Sequence, residues 1–227
     1  MKYISILLIT LTLTSCVNKT SQHNTAEAHY RSTAERELNR HTIRKDTFLG
    51  LELLHEFNES ELNIIEDRRK DAVTGGQVLT YKDSTFDAIS LYITDYKVSK
   101  TFAFKKFKLE YDADSFMDLL ISKSQKSYPK DIFNYITSDN GYRQLGFNCI
   151  NSIEEWKSNY ISNMQLKAKG LPAINQNVAY HPIIHSYTIV KLNRDDHWVV
   201  SIDLTTSLYE KHKIENPKLD GANINDI

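Results

Sequence analysis

Apolar and polar residues alternate most regularly near the carboxyl-terminal end of the chain, over residues 186–204. In the second part of this stretch the apolar positions share one parity and are Trp198, Val200, Ile202 and Leu204. The opposite parity holds His197, Val199, Ser201 and Asp203. Strict alternation is typical of a strand with one buried face, and the polar residues 193–196 fit a turn. We therefore predict a β-hairpin whose Trp198 face lies in the core.

Weaker patterns predict further strands in the first half of the chain. The apolar residues between Thr47 and Leu54 fit a first strand, and residues 86–98 alternate as a half-buried strand does. Beyond Phe104 the aromatic positions change parity, which predicts a β-bulge or a bend at Lys105-Lys106. Residues 62–72 fit either a short helix or a hairpin arm. The apolar face of residues 86–98 comprises Ile89, Leu91 and Ile93.

Three segments have helical periodicity. The first opens at Asp114, with Ser115 and Asp118 spaced as a capping box. A short second helix is predicted over Pro129–Ile136, and a longer third helix over Ser152–Ala168. The apolar positions that recur at helical spacing in the first segment are Phe116, Leu119 and Leu120.

The order of these elements is strands, then helices, then strands, without regular alternation. That order favours an α+β fold with a mainly antiparallel sheet and two or three helices packed on one side. We predict one globular domain over residues 47–210. The polar composition of residues 16–46 predicts a flexible tether, and that of residues 211–227 a polar tail.

The amino-terminal segment has the pattern of a secretion signal. A lysine at position 2 precedes an apolar run, Ile4–Leu13, of about 10 residues, too short to span a bilayer. The run ends in Leu13-Thr14-Ser15-Cys16, which resembles the lipobox of bacterial lipoproteins. The resemblance implies cleavage after residue 15 and attachment of a lipid, with fatty acids such as palmitate, to Cys16. It also implies a membrane as partner and the cell envelope as location.

Charge and cysteine content narrow the classes of partner and scaffold. The formal net charge is −1 and becomes more negative when Lys2 leaves with the signal segment, so neither nucleic acid nor an anionic lipid surface is expected as a partner. If Cys16 carries a lipid, Cys149 has no disulfide partner in the chain. Stability is then expected from one packed core. No cofactor motif is present, and none is expected.

Cys149 is the candidate nucleophile. It precedes a predicted helix, and three histidines follow it, at His181, His185 and His197. Asn148-Cys149 and His197-Trp198-Val199-Val200 resemble papain-like cell-wall hydrolases, which implies a thiolate and imidazole pair. The alternative is that Cys149 is a small buried apolar residue between Phe147 and Ile150.

Histidine and tyrosine are two further candidate ligand-binding residue types. His181 and His185 lie about 13 Å apart if extended, so no shared metal ion is expected. Tyrosine is the most common aromatic residue and could line a sugar- or peptide-binding face or sit half-buried in the sheet. The tyrosines near predicted loops and strand faces are Tyr92, Tyr96, Tyr128, Tyr135, Tyr142 and Tyr180.

Two functions follow as hypotheses. The first is a lipid-anchored, non-enzymatic binding module of the envelope, with a protein or glycan partner, such as an assembly factor or a toxin-neutralising protein. The second is a cysteine-class cell-wall hydrolase that uses Cys149 and a downstream histidine such as His197. Val17 follows the lipidated cysteine where aspartate would signal inner-membrane retention in some bacteria, so the outer membrane is the expected location.

Overall fold

The structure is a computed structural model that describes residues 25–45, 47–58, 68–71, 74, 76–173 and 178–215. The predicted signal segment, the lipidation site Cys16 and residues 216–227 lie outside the described residues. Of the segment 62–72, predicted as a short helix or a hairpin arm, residues 62–67 also lie outside the described residues, whereas residues 68–70 form a strand.

The described residues form eleven strands and four α-helices. The strands are β1 (Thr47–Phe48), β2 (Leu51–Glu52), β3 (Arg68–Lys70), β4 (Gln77–Tyr81), β5 (Ala88–Thr94), β6 (Lys97–Phe107), β7 (Asn134–Thr137), β8 (Arg143–Ile150), β9 (Val178–Tyr180), β10 (Ile184–Arg194) and β11 (His197–Thr206). The helices are α1 (25–41), α2 (Glu110–Ser127), α3 (Ile153–Ala168) and α4 (Ser207–Glu215).

The main sheet has the strand order β3-β4-β5-β6-β11-β10-β8-β7, and each neighbouring pair is antiparallel. Strand β9 pairs with β8 in parallel, and β1 and β2 form a separate small hairpin. The fold is α+β with a mainly antiparallel sheet, as the sequence predicts. Residue Phe107 of β6 pairs with Trp198 of β11, so the two central strands come from distant parts of the chain.

The two long hairpins of the sheet turn through two-residue loops. Asp95 and Tyr96 join β5 to β6, and Asp195 and Asp196 join β10 to β11. All four residues have φ between 50° and 62°. Positive φ at both central positions defines the type I′ turn, whose twist matches that of the flanking strands. The hairpin predicted over 186–204 is therefore confirmed, with a tighter turn.

One face of the sheet is the core. Val200, Ile202 and Leu204 are at most 4% exposed, and Trp198 is half-buried against them, as the alternation predicts. On β5 the predicted apolar face is also buried. Helix α2 covers this face near β6, β10 and β11. Its buried residues recur at helical spacing and are Ala113, Met117, Leu120 and Ser124.

Helix α2 differs from its prediction in start and orientation. It begins at Glu110 instead of Asp114. Leu119, which the helical spacing places on the buried face, is 48% exposed. The predicted capping box does not form, because the Ser115 hydroxyl donates to the Tyr111 carbonyl at 2.9 Å and the Asp118 carboxylate accepts a hydrogen bond from Arg143 on the sheet. Acidic residues in the first turn favour the earlier start by their interaction with the helix dipole.

Two further predictions were wrong. Residues 129–136 form a short 3-10 turn (Lys130–Ile132) followed by strand β7, because Ile132 is fully buried and residues 134–137 pair with β8. No bulge occurs at Lys105-Lys106: β6 runs unbroken, and the register shift lies between Tyr92 and Ile93. The aromatic positions change parity for another reason: the side chains of Phe102 and Phe104 lie on the sheet face opposite the core.

Contacts divide the described residues into two compact units, residues 25–40 with 154–173 and residues 41–153 with 178–215. In the first, residues 25–40 are helical and Ala34 is fully buried. On α3, Trp156 is 3% exposed and stacks on Tyr160 with ring centroids 5.2 Å apart. In the second unit, Ile43 is 3% exposed and donates its backbone N–H to the Tyr180 carbonyl. The described part of the predicted tether therefore contains a helix and a core residue.

Candidate binding face

The sheet face opposite α2 forms an open cleft of about 490 Å³ in the second unit. Every second side chain of β6, β10 and β11 points into it, because neighbours on a strand alternate between the two faces. The lining residues are Phe102, Phe104, Lys106, Ser186, Thr188, Val190, Leu192, Arg194, Asp195, His197, Val199, Ser201, Asp203 and Thr205.

The antiparallel register arranges these side chains in rows across the strands. Ser201 lies between Phe104 on β6 and Val190 on β10. In the neighbouring row, Asp203 lies between Phe102 and Thr188. The two phenylalanine rings of β6 are 6.1 Å apart between centroids. The centre of the cleft is thus an apolar surface interrupted by hydroxyl groups.

The hydroxyl groups of Ser186, Thr188 and Ser201 make no side-chain hydrogen bond to any residue that the structure describes. Core hydroxyls behave differently: Thr206 donates to the Ser99 carbonyl at 2.7 Å, and Ser124 pairs with the Tyr187 hydroxyl. Buried polar groups need partners, whereas half-buried groups facing an open cleft can bond water or a ligand. These three hydroxyls are available to an occupant of the cleft.

The end of the cleft at the β10–β11 turn is rich in basic groups. Lys106, Arg194 and His197 line it together with Asp195. Arg194 Nε lies 3.6 Å from an Asp195 carboxylate that is 91% exposed, and Lys106 Nζ lies 5.8 Å from the Phe104 ring centroid. An exposed ion pair of this kind contributes little stability.

At the opposite end an ion pair is held between aromatic rings. Lys100 Nζ is 2.9 Å from Asp203 Oδ2 and 5.3 Å from the ring centroids of Tyr92 and Tyr209. Burial alone would lower the pKa of Lys100, but the nearby Asp203 carboxylate outweighs it and the net shift is upward. The Tyr209 pKa is raised by burial and by nearby acidic groups, Asp71 first among them. Helix α4, which carries Tyr209, therefore bounds this end of the face.

A second charged cluster lies on the core face and holds α2 to the sheet. Lys191 is 1% exposed, and its Nζ lies 2.9 Å from Glu110 Oε1, 2.7 Å from Asp114 Oδ1 and 4.7 Å from the Trp198 ring centroid. Arg143 contacts Asp114 as well, at 2.7 Å. Burial alone would raise the Asp114 pKa, but hydrogen bonds from Lys191 and Arg143 lower it overall. The sequence contains one sign of this cluster: Lys191 is a charged residue at a position of β10 where the strand alternation places side chains in the core.

The structure does not bring the proposed nucleophile and His197 together. Cys149 is 6% exposed on the core face of β8, whereas His197 lies on the opposite face of β11, with β10 between the two strands. Burial raises the pKa of the Cys149 thiol, which disfavours a thiolate. Burial, with a smaller contribution from Cys149, also raises the pKa of the neighbouring Tyr128, to about 12.

The other histidines and the tyrosines are dispersed. His181 is 1% exposed, and its Nδ1 accepts backbone N–H groups from Ile183 and Ile184 at 3.1 and 2.9 Å. Among the tyrosines singled out from the sequence, Tyr92 lies near α4, Tyr128 in the core, and Tyr96 and Tyr135 are exposed. Tyr142 and Tyr180 are half-buried. They do not form one aromatic face.

Within the described ranges no group of three or more His, Cys, Asp or Glu side chains is placed to hold a metal ion. Among the helices of those ranges, none has the length and apolar character that a bilayer crossing requires. Comparison of the chain with known protein families, curated proteins and solved structures gives no match.

Proposed function

We propose that this protein is a lipid-anchored, non-enzymatic binding module of the bacterial cell envelope, and that its ligand occupies the open cleft of the sheet. The anchor is supported by Leu13-Thr14-Ser15-Cys16, with Cys16 as the lipidated residue. Residue Val17 favours the outer membrane. The observation that carries the binding role is a 490 Å³ cleft whose central hydroxyls have no partner among the described residues.

Site-specific photo-crosslinking in intact cells tests this proposal. A photoreactive phenylalanine analogue is placed at Thr188 or Ser201 in the cleft, and at Ser122, an exposed position on α2, as a control. The expected result is a discrete adduct of constant mass from the two cleft positions and none from position 122. Adducts of equal yield at all three positions, or none at any, would refute the cleft as the binding site.

The same experiment separates this proposal from cysteine hydrolase activity. Cys149→Ala should leave the cleft adduct and any envelope phenotype unchanged, because the thiol is buried on the other face of the sheet. If Cys149→Ala and His197→Ala both abolish the phenotype while the protein remains folded, the protein acts as a hydrolase and the binding proposal fails.

A further inference from the structure

The two edges of the main sheet differ in charge. Within the described residues the sheet ends in β3 on one side and in β7 on the other. Strand β3 has the basic sequence Arg68-Arg69-Lys70, which disfavours pairing with a further strand. Strand β7 has the sequence Asn134-Tyr135-Ile136-Thr137, without charge or proline, and all four residues are exposed. It therefore lacks the devices that usually protect an edge strand from pairing.

The backbone of β7 directs one set of hydrogen-bonding groups outward. Ser138 donates its N–H to the Tyr142 carbonyl at 3.0 Å, in the same register as the pairing of β7 with β8. Residues of an antiparallel strand alternate between bonding the neighbouring strand and facing away from it. Ile136 therefore bonds β8, whereas the N–H and C=O groups of Tyr135 and Thr137 face away. The described residues offer these outward groups no backbone partner.

A second copy of β7 can bond all of these outward groups. In an antiparallel pair centred on Ile136, Tyr135 of each copy lies across from Thr137 of the other, and each such pair exchanges two hydrogen bonds. Ile136 then faces its equivalent in the second copy as a non-hydrogen-bonded pair, with Cα atoms about 4.5 Å apart. Because the Ile136 side chain is 51% exposed, this contact buries apolar surface in both copies.

The charges near β7 are compatible with this register. Asp131 and Asp139 are the nearest charged residues in the sequence, and they would lie across from positions 141 and 133 of the second copy, which are uncharged. Asp131 lies 3.4 Å from His41, and the Arg143 guanidinium on β8 contacts two carboxylates of α2 at 2.7 Å. Like charges directly opposite would destabilise a strand pair, and this register places none opposite each other.

The small size of the contact determines where such a pair would form. Two strands of four residues bury much less than the roughly 1,200 Å² of a stable interface, so the pair would be weak in dilute solution. Confinement of both copies to one membrane raises their effective concentration, as a flexible link between two modules does. The pair is therefore expected among anchored copies.

We propose that two copies of this protein associate by antiparallel pairing of their β7 strands, centred on Ile136, so that their main sheets become continuous. Ile136 and the cleft residue Val190 both pair with Gln144 and so share a face of the sheet. A two-fold axis perpendicular to the sheet then leaves both clefts open on the same side. The inference goes beyond ligand binding, and only the need for membrane confinement rests on the proposed function.

Oxidative crosslinking of the full chain in isolated membranes tests the register. Ile136→Cys should form a disulfide-linked homodimer, because a Cα separation of about 4.5 Å lies within the range that disulfides require. Asn134→Cys is the matched control on the same strand and face, and it should form none, since its two copies are offset by about 13 Å along the strand. Cys149 is buried and does not compete.

A charge exchange at the same position tests whether the occupant is a second copy. Full-length chains labelled with a donor or an acceptor fluorophore are placed in vesicles of phosphatidylethanolamine and phosphatidylglycerol, and energy transfer reports pairing. Ile136→Lys alone and Ile136→Glu alone should each weaken pairing about fivefold, because like charges then lie directly opposite. A mixture of the two variants should restore it. The melting temperature of each variant establishes that it is folded.

The inference is overturned if the two cysteine variants crosslink equally, if neither gives a homodimer, or if position 136 is joined to a different protein. It is also overturned if the mixture of Ile136→Lys and Ile136→Glu pairs no better than either variant alone. Failure of the proposed anchor is distinguishable, because a chain without lipid would still give the Ile136→Cys homodimer at a concentration of about 1 mM.

Discussion

Lys191 shows how one buried charge depends on its neighbours. Its ammonium is enclosed by Glu110, Asp114 and the Trp198 ring, and removing one partner of a buried ion pair leaves the others poorly compensated. Because the two carboxylates are partly exposed, we expect Lys191→Ala to lower the free energy of unfolding by about 2 kcal/mol at neutral pH. Urea unfolding measures it, with Lys82→Ala, at an exposed position, as control.

The cost of Lys191→Ala should depend on pH with a defined sign. The folded-state pKa of Asp114 is depressed, so its stabilising contribution is present above the ordinary carboxyl pKa of about 4 and is lost as pH falls through the lower folded value. The stability difference between wild type and Lys191→Ala should therefore shrink below about pH 4. A difference that stays constant across that range would contradict the role assigned to Asp114.

Adjacent residues on β11 should differ sharply in their effect on stability. Trp198 packs against the core, so Trp198→Ala should cost about 3 kcal/mol. His197 faces the cleft, so His197→Ala should change the free energy of unfolding by less than about 0.5 kcal/mol. Thermal or urea unfolding of the two variants compares them directly, and equal losses would mean that the strand alternation is misassigned.

At the scale of elements, the segment that follows α1 belongs to the second unit. Ile43 is part of its core, and Thr42 bridges to Tyr180 on β9. We expect Ile43→Ala to destabilise the protein by about 2–4 kcal/mol, whereas Arg44→Ala next to it should have little effect. Chemical unfolding measures both. If Ile43→Ala is as mild as Arg44→Ala, residues 42–43 are dispensable, as a tether would be.

The elements that sequence predicts well are those with a local cause. Strands β5 and β11 follow from a two-residue period with one apolar face, and α3 from its helical period. The capping box predicted for α2 was wrong, because Asp118 accepts a hydrogen bond from Arg143, a residue of a distant strand. The cleft could not be predicted for the same reason. Its residues Ser201, Thr188 and Phe102 come from three strands, and only the register of those strands brings them together.

For the whole molecule, membrane attachment should depend on one atom, the Cys16 sulfur. Cys16→Ser should abolish incorporation of an alkyne-labelled palmitate analogue, because the thiol is the acyl acceptor implied by the lipobox resemblance. It should also shift the protein out of the membrane fraction, since acyl chains supply about 0.8 kcal/mol per buried methylene. Cys149→Ser is the matched control and should keep the label. Label retained by Cys16→Ser would exclude this anchor.

The pairing of β6 with β11 has a consequence for how the chain would fold after the export that we propose. These two strands are neighbours at the centre of the sheet, yet Phe107 and Trp198 are joined only when a long intervening chain has closed. Closing such a loop costs entropy that local contacts do not return, and folds dominated by distant pairings form slowly. If the chain is exported as we propose, it emerges amino terminus first and cannot complete its core until residues 197–206 have crossed the membrane. Until then the centre of the sheet cannot form, which would keep the chain able to move through a narrow translocation channel.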